Sequence, residues 1–379
     1  MKLIDVCELI VDCPHSTAKD EGQGIPLVRT PNIGKGRLEL SDVHRVSEAV
    51  YNQRIERAVP QAGDLILARE APVGNVALIM SGQKVCLGQR VVLIRPDKEK
   101  ADPAYLTYYL LSEEVQHRLK NNANGAVVAH LNMNEIRNLV IELPEISIQK
   151  RIASVLSSLD DKIALNNRIN HNLEEQAQAL YRSWFVDFKP FKSGKFVDSE
   201  LGLIPDGWHV GTLSELVEVR YGKDHKMLND GRIPVYGSGG LMRYADRSLF
   251  ESESVLIPRK GTLNNVMYVN HPFWTVDTMF YTIGKTEHVI KYAHLFLLTQ
   301  DLASMNAGSA VPSMTTDILN KLPILIPTLE VLNTFDTVVS SVYSIIRSDQ
   351  VENASLASIR DSILPQLMSG VIDINSLNC

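Results

Sequence analysis

The sequence predicts an α+β fold in which two tandem mixed α/β domains are each followed by a long helix. Three observations support this prediction. Residues 125 to about 185 match residues 308 to about 368 with a constant offset and no gap. Short apolar runs bounded by Gly, Pro or Asn precede each copy and indicate strands. A stripe with heptad spacing then closes each copy, as expected for a long pairing helix.

The internal repeat is carried by aligned apolar positions. Weaker echoes lie upstream, at residues 64–76 against 254–266 and at 25–28 against 233–236. The unit is too long for a solenoid repeat. Two copies of a domain and a helix give the chain an approximate two-fold symmetry, which suits the reading of two separated half-sites on a duplex. The aligned pairs are Val128/Val311, Ile136/Leu319, Leu139/Leu322, Ile141/Ile324, Leu143/Ile326 and Pro144/Pro327.

The composition indicates a soluble globular protein with two or three domains: 379 residues, 45% hydrophobic and 22% charged. Its net charge of −6 requires any DNA-binding surface to concentrate its cations on one face. The four cysteines lack zinc-site spacing and are expected to be free thiols in a reducing cytoplasm. Neither a signal pattern nor a membrane-length apolar run is present, so we expect a cytoplasmic protein without membrane contact.

The elements follow the same order in both copies. A capping acid, Asp102, and Pro103 begin the first short helix. After it, each copy has a glycine-containing loop, a short helical segment and an apolar strand that ends at Pro144 or Pro327. The predicted strands are 65–68, 76–80, 91–94, 255–258, 266–269 and 280–283, and the predicted short helices are 104–119 and 289–303.

The domain boundaries follow from these elements. The Pro, Gly and Ser content between the copies predicts a linker. The predicted segments are a first domain at 1–143, its helix at 144–188, a linker at 189–207, a second domain at 208–327, and a second helix with its tail at 328–379.

Both long helices carry a heptad stripe that turns polar at two matched central positions, Asn166 and Asn170 in one and Asp349 and Asn353 in the other. A buried polar layer fixes helix register at some cost in stability. Parallel and antiparallel pairing of the two helices both align this layer, so the pattern does not determine the relative direction of the helices. The first stripe is Ile152, Leu156, Leu159, Ile163, Asn166, Asn170, Leu173, Ala177, Leu180 and Trp184. The second is Phe335, Val339, Val342, Ile346, Asp349, Asn353, Leu356, Arg360, Ile363 and Leu367.

Two short motifs resemble parts of catalytic sites, but neither has the features that such a site requires. Residues 102–105, DPAY, resemble an amino-methyltransferase motif, but Ala104 replaces a proline and no cofactor-binding glycine loop follows a strand. Helix capping explains Asp102. Residues 96–100, PDKEK, contain the letters of a nuclease site, yet a contiguous run after a strand is more typical of a solvated turn. We therefore predict no catalytic residues.

Metal and nucleotide sites are likewise not indicated. The ten histidines are scattered and include no HExxH motif. Residues 237–240, GSGG, lack the lysine that a phosphate-binding loop needs. We predict no metal and no cofactor bound by this chain.

Six polar, glycine-bearing loops are the candidates for DNA contact. Arg and Asn or Gln can read guanine and adenine, and Lys can hold phosphate, although such loops are often ordinary turns. Arg69 and Arg259 occupy corresponding places, which strengthens both. In the first domain the candidates are Arg29, Thr30, Asn32, Lys35, Arg37, Arg69, Asn75, Gln89 and Arg90. In the second they are Tyr221, Lys223, Lys226, Ser238, Gly239, Arg259, Lys260 and Asn264.

Several stretches together resemble the specificity subunit of type I restriction-modification systems. They are YRSWFVDFKPFK (181–192), SELGLIPDGWHVGTLSEL (199–216), LPEISIQKRIASVLSSLDDKI (143–163) and IPRKGTLNNVMYVNHPFWTVDTMFY (257–281). The resemblance covers essentially the whole chain, and the two helix segments are its most specific part. One departure is Leu332, where the family has a glutamine such as Gln149, so one partner contact is expected to be weaker.

The resemblance implies two target recognition domains and two helices that pair as an antiparallel coiled coil with pseudo-two-fold symmetry. It implies a non-catalytic subunit that binds a bipartite, asymmetric site on double-stranded DNA. Its partners would be two modification subunits and, in the full complex, a restriction subunit. S-adenosylmethionine, ATP and Mg would be bound by those partners. The alternatives are a coiled-coil protein–protein scaffold with incidental DNA contact and a methyltransferase acting through DPAY.

Overall fold

A computed structural model describes residues 1–41, 43–70, 72–121, 130–306 and 312–374. The chain divides into two compact units: unit 1 (residues 1–165 and 352–379) and unit 2 (residues 166–351). The pair Val128/Val311, the glycine loops that contain it and Cys379 lie outside the described residues.

Unit 1 contains eight strands among its described residues. They form a five-stranded sheet of order β1-β8-β5-β6-β3 and a three-stranded sheet of order β4-β2-β7. The strands are β1 (Cys7–Asp12), β2 (Ile25–Val28), β3 (Gly36–Arg37), β4 (Arg45–Val46), β5 (Leu65–Ala68), β6 (Val76–Leu78), β7 (Cys86–Leu87) and β8 (Val91–Pro96). The helices are α1 (Glu48–Arg54), α2 (Pro103–Leu111), α3 (Glu113–Asn121) and α4 (Met133–Arg137), with 3-10 turns at Leu3–Val6 and Thr30–Asn32.

The described part of unit 2 contains a four-stranded sheet of order β12-β18-β15-β16, a three-stranded sheet of order β14-β13-β17 and two strand pairs, β9 with β10 and β11 with β19. Its strands are β9 (Phe196–Ser199), β10 (Gly202–Pro205), β11 (His209–Thr212), β12 (Val217–Tyr221), β13 (Ile233–Gly237), β14 (Gly240–Ala245), β15 (Ser254–Pro258), β16 (Met267–Val269), β17 (Trp274–Thr275), β18 (Met279–Gly284) and β19 (Pro323–Ile326). Its helices are α6 (Leu213–Leu216), α7 (Ile290–Leu297) and α8 (Thr316–Asn320), with a 3-10 turn at Lys189–Phe191.

The two units share one strand order. β1-β8-β5-β6 in unit 1 corresponds to β12-β18-β15-β16 in unit 2. Leu27 of β2 pairs in parallel with Cys86 of β7, as Val235 of β13 does with Trp274 of β17. The repeat therefore extends through both mixed domains, beyond the segments whose sequences align closely. The prediction of two tandem domains is confirmed.

The central strands are apolar on both sides because both sheet faces are covered. In β5, Leu65 and Leu67 belong to one hydrophobic cluster, whereas Ile66 and Ala68 belong to another. Successive side chains of a strand point to opposite faces, so each face builds its own core. All five residues of β15 are buried in the same way. This explains why both strands read as continuous apolar runs.

Several predicted elements differ in extent from the observed ones. The helix predicted at 104–119 is two helices, because Ser112 is extended (φ −60°, ψ 147°). The helix predicted at 289–303 ends at Leu297. The apolar segment before Pro144 forms a single bridge, between Lys2 and Val140, although its counterpart before Pro327 is a full strand.

The segment predicted as a linker is partly folded. It contains the β9–β10 hairpin, in which Phe196 pairs with Pro205. Phe188, just before it, contacts both Phe196 and Trp208 edge to face. These aromatic contacts attach a segment rich in Pro, Gly and Ser to the main hydrophobic cluster of unit 2.

Two 40-residue helices, α5 (Ile146–Phe185) and α9 (Leu329–Met368), each contribute to both units. Each would span about 60 Å. Every residue of the two heptad stripes is buried or half-buried. Leu156 in unit 1 and Phe335 in unit 2 are fully buried, with 0% of their surface exposed.

Contacts between α5 and α9 occur within each unit. In unit 1, Asp160 pairs with Arg360 at 2.6 Å, and Lys162 pairs with Glu352 at 3.2 Å. In unit 2, the ring of Phe335 lies 4.7 Å from that of Phe185. Within unit 1, residue numbers rise along α5 while they fall along α9.

Candidate nucleic-acid interface

The loop after β2 in unit 1 uses its asparagine internally. Asn32 is buried, and its Oδ1 accepts a hydrogen bond from the Arg29 main-chain nitrogen at 3.1 Å. Asn75 donates to the Ile33 carbonyl at 2.9 Å and so attaches a second loop to the first. Arg37 forms an ion pair with Asp161 of α5. Lys35 is exposed, whereas Thr30 is half-buried.

Arg69 lies in a buried polar network. Its Nη1 is 2.7 Å from both carboxylate oxygens of Asp12, and its Nε donates to the Leu131 carbonyl at 2.8 Å. Its Nη2 is 2.6 Å from Nε2 of His130, whose Nδ1 is 2.8 Å from Glu70. Arg69 is 6% exposed. The Arg69 side chain therefore holds the end of β1 and the neighbouring loops together and does not reach solvent.

The same network extends to an exposed arginine. Glu70 pairs with Nε of Arg90 at 2.9 Å, and 60% of the Arg90 side chain is exposed. Arg90 has φ +64°, a left-handed conformation that is uncommon for a residue with a side chain. Gln89 donates to the His15 carbonyl at 2.8 Å. Of the two cations predicted around this network, Arg90 is the one that faces solvent.

In unit 2 the predicted loops also meet. Asn265 donates to the Ser238 carbonyl at 2.8 Å, which places the turn of β13 and β14, including Gly239, against the loop after β15. Asn264 is used structurally, because its amide bonds Asp301 at 3.2 Å and accepts from the Ala303 nitrogen. The hydrogen bond from the Asn264 amide to Asp301 is the largest of the causes that lower the pKa of the Asp301 carboxyl.

Arg259 occupies the place of Arg69 but has different side-chain contacts. The Arg259 carbonyl accepts from the Met314 nitrogen at 2.8 Å, as the Arg69 carbonyl accepts from that of Leu131 at 3.1 Å. The guanidinium of Arg259 lies 5.3 Å from the ring centre of Tyr221, at the end of β12. It is half-buried, whereas Lys260, Lys223 and Lys226 are exposed.

DNA contact by all these residues stays a prediction, and ten of the seventeen fall into an internal group and an exposed group. The other seven are half-buried: Arg29, Thr30, Arg37, Asn75, Gln89, Ser238 and Arg259. Asn32, Arg69 and Asn264 are committed to internal contacts. The exposed group comprises Lys35, Arg90, Tyr221, Lys223, Lys226, Gly239 and Lys260. The sequence alone did not identify Asp12, Glu70 and His130 as members of this network. Asp12 and His130 are far from Arg69 in the sequence, and Glu70, although adjacent, belongs to no recognisable motif.

The two motifs that resemble catalytic sites, DPAY and PDKEK, make structural contacts. The Asp102 side chain accepts from the Tyr105 nitrogen at 2.9 Å and caps α2. Asp97, in the turn after β8, accepts from the Glu99 nitrogen and pairs with Lys100 at 3.1 Å. In the part of the chain that the structure describes, no group of three His, Cys, Asp or Glu residues could hold a metal ion. No described helix is long and apolar enough to cross a membrane.

Gln149, at the entry of α5, faces inward. It is 1% exposed, accepts from the Asp102 nitrogen and donates to the carbonyls of Lys100 and Pro144. The expectation that this glutamine contacts a partner is therefore not supported. At the equivalent place in unit 2, Leu332 is 3% exposed within the hydrophobic core.

A polar layer interrupts the helix stripes in unit 2. Asn166 and Asn170 are 0% and 8% exposed. The buried oxygens Oδ1 of Asn170 and Oδ2 of Asp349 have no hydrogen-bond partner among the described residues. The layer thus lacks full hydrogen bonding, so it destabilises the helix pair relative to an apolar layer.

A comparison with protein families settles the class of this chain. A family model described as "Type I restriction modification DNA specificity domain" matches residues 1–175 and 205–346. The chain belongs to this family. It is a type I restriction-modification specificity subunit, the component that recognises DNA sequence and assembles with other subunits.

Known proteins of this class are similar over most of the chain. The MjaIX specificity subunit of Methanocaldococcus jannaschii is 27% identical, covering 99% of this chain and 94% of its own length. The HindI specificity subunit of Haemophilus influenzae is 23% identical, covering 82% and 86%. The crystal structure of an S subunit from M. genitalium matches with a TM-score of 0.55 at 16% identity, covering 97% and 95%, and supports the fold.

Proposed function

We propose that this specificity subunit binds a bipartite, asymmetric DNA site, with one half-site read by each mixed domain. The main support for this proposal is that the two units share one strand order, whereas their loops differ in side-chain chemistry. Main-chain contacts of Arg69 and Arg259 are equivalent, yet their side chains contact Asp12 in one unit and Tyr221 in the other. Equivalent scaffolds with different loop chemistry suit two different half-sites.

The proposal gives α5 and α9 the role of a spacer. The ion pairs Asp160–Arg360 and Lys162–Glu352 support an antiparallel coiled coil, which would relate the two domains by a pseudo-two-fold axis. Half-sites whose centres lie about one helical turn apart, roughly 35 Å, are compatible with such a rod. Specificity in this arrangement depends on spacer length as well as on bases.

The same helices would dock two modification subunits. Val338, Ile345 and Ile359 of α9 are 45%, 47% and 48% exposed and recur at multiples of seven residues. Seven-residue spacing keeps apolar side chains on one helix face, where a partner helix can pack. In this proposal the chain itself is non-catalytic, and S-adenosylmethionine, ATP and Mg are bound by the modification and restriction subunits.

The decisive experiment is methylome sequencing of cells that express this chain with its methyltransferase partner. The control strain lacks only this chain. We expect a gapped, asymmetric methylated motif that disappears in the control. An active methyltransferase without any chain-dependent motif would contradict the proposal.

A second measurement addresses the scaffold alternative. Binding of the assembled complex to its motif should weaken steeply with salt, because neutralised phosphates release counterions. A scaffold with incidental DNA contact would bind its protein partners equally well while showing no preference for the motif over a scrambled duplex of the same length.

A further inference from the structure

Unit 2 exposes four large apolar side chains around one hairpin. Met227 is 86% exposed, Leu241 50%, Met242 55% and Tyr244 48%. We call these four residues the apolar hairpin patch. Single exposed apolar residues are ordinary, but a contiguous group marks a surface that contacts another molecule.

The hairpin is built to project two of these side chains. Gly237 pairs with Gly240 across a two-residue turn, Ser238 and Gly239. The register changes from Val235 opposite Arg243 to Tyr236 opposite Leu241, so Met242 is an extra, bulged residue. A bulge redirects side chains at a strand end.

Gly237 leaves room for the Met242 side chain to pack over the hairpin. A Cβ placed on Gly237 would lie 2.4 Å from the Met242 sulfur. Gly240, with φ +110°, closes the turn in a conformation that other residues rarely adopt. Gly237 and Gly240 therefore accommodate the observed turn and the observed position of Met242.

Met227 is carried by a loop attached to the same hairpin. Nη2 of Arg243 donates to the Leu228 carbonyl at 2.6 Å and to the His225 carbonyl at 3.3 Å. The indole nitrogen of Trp274 donates to the Lys223 carbonyl at 2.9 Å. These bonds anchor the loop at both ends, so loop and hairpin form one surface.

The segment that carries this patch has a small excess of positive charge. Residues 221–247 contain five Lys or Arg and three Asp, within a chain of net charge −6. Lys223, Lys226 and Arg232 are exposed and form no ion pair within 4.0 Å among the described residues, although Lys226 helps to lower the pKa of the Asp224 carboxyl. An apolar centre with unpaired cations beside it complements a DNA groove with phosphates on both sides.

The described residues of unit 1 form no equivalent patch. The connection between β2 and β4, residues 29–44, is long and polar where β13 and β14 join by a tight turn. Among the described residues from 5 to 58, no large hydrophobic side chain is exposed. The two units thus present different chemistry at the same place in the same strand order.

We propose that the β13–β14 hairpin enters the major groove of one half-site and that Leu241 and Met242 contact the 5-methyl group of a thymine there. This inference rests on the proposed function. The major groove admits a two-stranded ribbon, and thymine is the one unmodified base that presents a methyl group in it. Lys223, Lys226 and Arg232 would hold the adjoining phosphates.

The test uses the assembled complex with its methyltransferase subunits and duplexes that carry the motif found by methylome sequencing. Each thymine is replaced in turn by deoxyuracil, which lacks only the methyl group. Losing one buried methyl group should weaken binding about fourfold. In a Leu241→Ser, Met242→Ser double variant, thymine and deoxyuracil duplexes should bind equally at that position.

The matched control is Leu329→Ser, an exposed leucine on α9 outside the patch, which should keep the thymine preference. Thymines of the other half-site should respond identically in all variants. A motif without a deoxyuracil-sensitive thymine, or a double variant that retains the preference, overturns this inference while leaving the motif itself intact. Absence of any chain-dependent motif would instead contradict the proposed function.

Discussion

Arg69 and Asp12 form a bidentate ion pair across the end of β1, with Nη1 of Arg69 2.7 Å from each carboxylate oxygen. The pair joins the first strand to the loop after β5. At the equivalent place in unit 2, Arg259 stacks on Tyr221, 5.3 Å from the ring centre. An arginine thus ties the same two elements in both units, by an ion pair in one and an aromatic ring in the other.

Replacing Arg69 with Ala should destabilise the chain, because it leaves Asp12 and the Leu131 carbonyl without their buried donor. Breaking a buried pair of this kind costs about 3–5 kcal/mol. Arg259→Ala should cost less, about 0.5–1 kcal/mol, because a half-buried cation–π contact is weaker. Urea unfolding of the full chain measures both.

The control for Arg69 is a double variant, Asp12→Asn with Arg69→Met, which removes both charges and should recover part of the stability. If Arg69→Ala unfolds like the parent chain but loses binding at one half-site, Arg69 contacts DNA directly, and its structural role is refuted.

Replacing Gln149 with Leu should destabilise unit 1 by about 1–3 kcal/mol, since the Asp102 nitrogen and two carbonyls lose a buried partner. The reciprocal change, Leu332→Gln, should also destabilise, because it buries an amide in an apolar core. Thermal unfolding of both variants, with methyltransferase binding measured in parallel, checks this. A Gln149→Leu chain with the parent's stability but weaker partner binding would restore the partner-contact interpretation.

Replacing Asn170 with Leu should stabilise the folded chain by about 1 kcal/mol, because its buried Oδ1 has no hydrogen-bond partner among the described residues. The matched control is Asn172→Leu, the same substitution at an exposed position of α5. Equilibrium unfolding compares the two. A destabilised Asn170→Leu chain would indicate that Asn170 makes an essential polar contact.

Acidification should destabilise unit 2 through His294. Burial lowers the pKa of His294 to about 4 from its ordinary 6.5, and its Nδ1 lies 2.6 Å from the Tyr343 hydroxyl. Between those two pKa values the unfolded chain binds the extra proton. Stability is therefore retained above pH 6.5 and falls toward pH 4, by about 1.4 kcal/mol per pH unit.

Urea unfolding at pH 7 and pH 5 tests this, with His294→Gln as the variant that should flatten the pH dependence. His271, whose pKa burial also lowers to about 4, contributes a similar slope. His271→Asn serves as the comparison and should leave the part due to His294 intact. A parent chain equally stable at both pH values would contradict the prediction.

Local patterns in the sequence were sufficient for the long helices and the central strands. Heptad spacing predicted the stripe from Ile152 to Trp184, and an unbroken apolar run predicted β5 and β15. The position of Asp102 as a helix cap also followed from one residue and its proline neighbour. These features depend on periods and caps, which short segments encode.

Contacts between distant residues were not predictable in this way. Arg69 looked like a base-reading arginine in a glycine-bearing loop, and only the fold brings Asp12 and His130 to it. The β9–β10 hairpin was missed because its stability comes from aromatic packing by Phe188 and not from alternating strand residues. Exposure of the apolar hairpin patch also depends on a bulge that the pattern does not encode.

Unit 1 is assembled from the two ends of the chain. Leu367 and Ile374 are buried against Tyr105 and Ile152, and Arg151 donates to the Ile374 carbonyl at 2.8 Å. Unit 2 is continuous from 166 to 351. During synthesis, the packing of unit 1 is therefore incomplete until the segment after residue 351 has been translated, whereas unit 2 already has all its parts at that point. A stop codon that removes Leu367 and Ile374 would therefore damage recognition of the half-site assigned to unit 1.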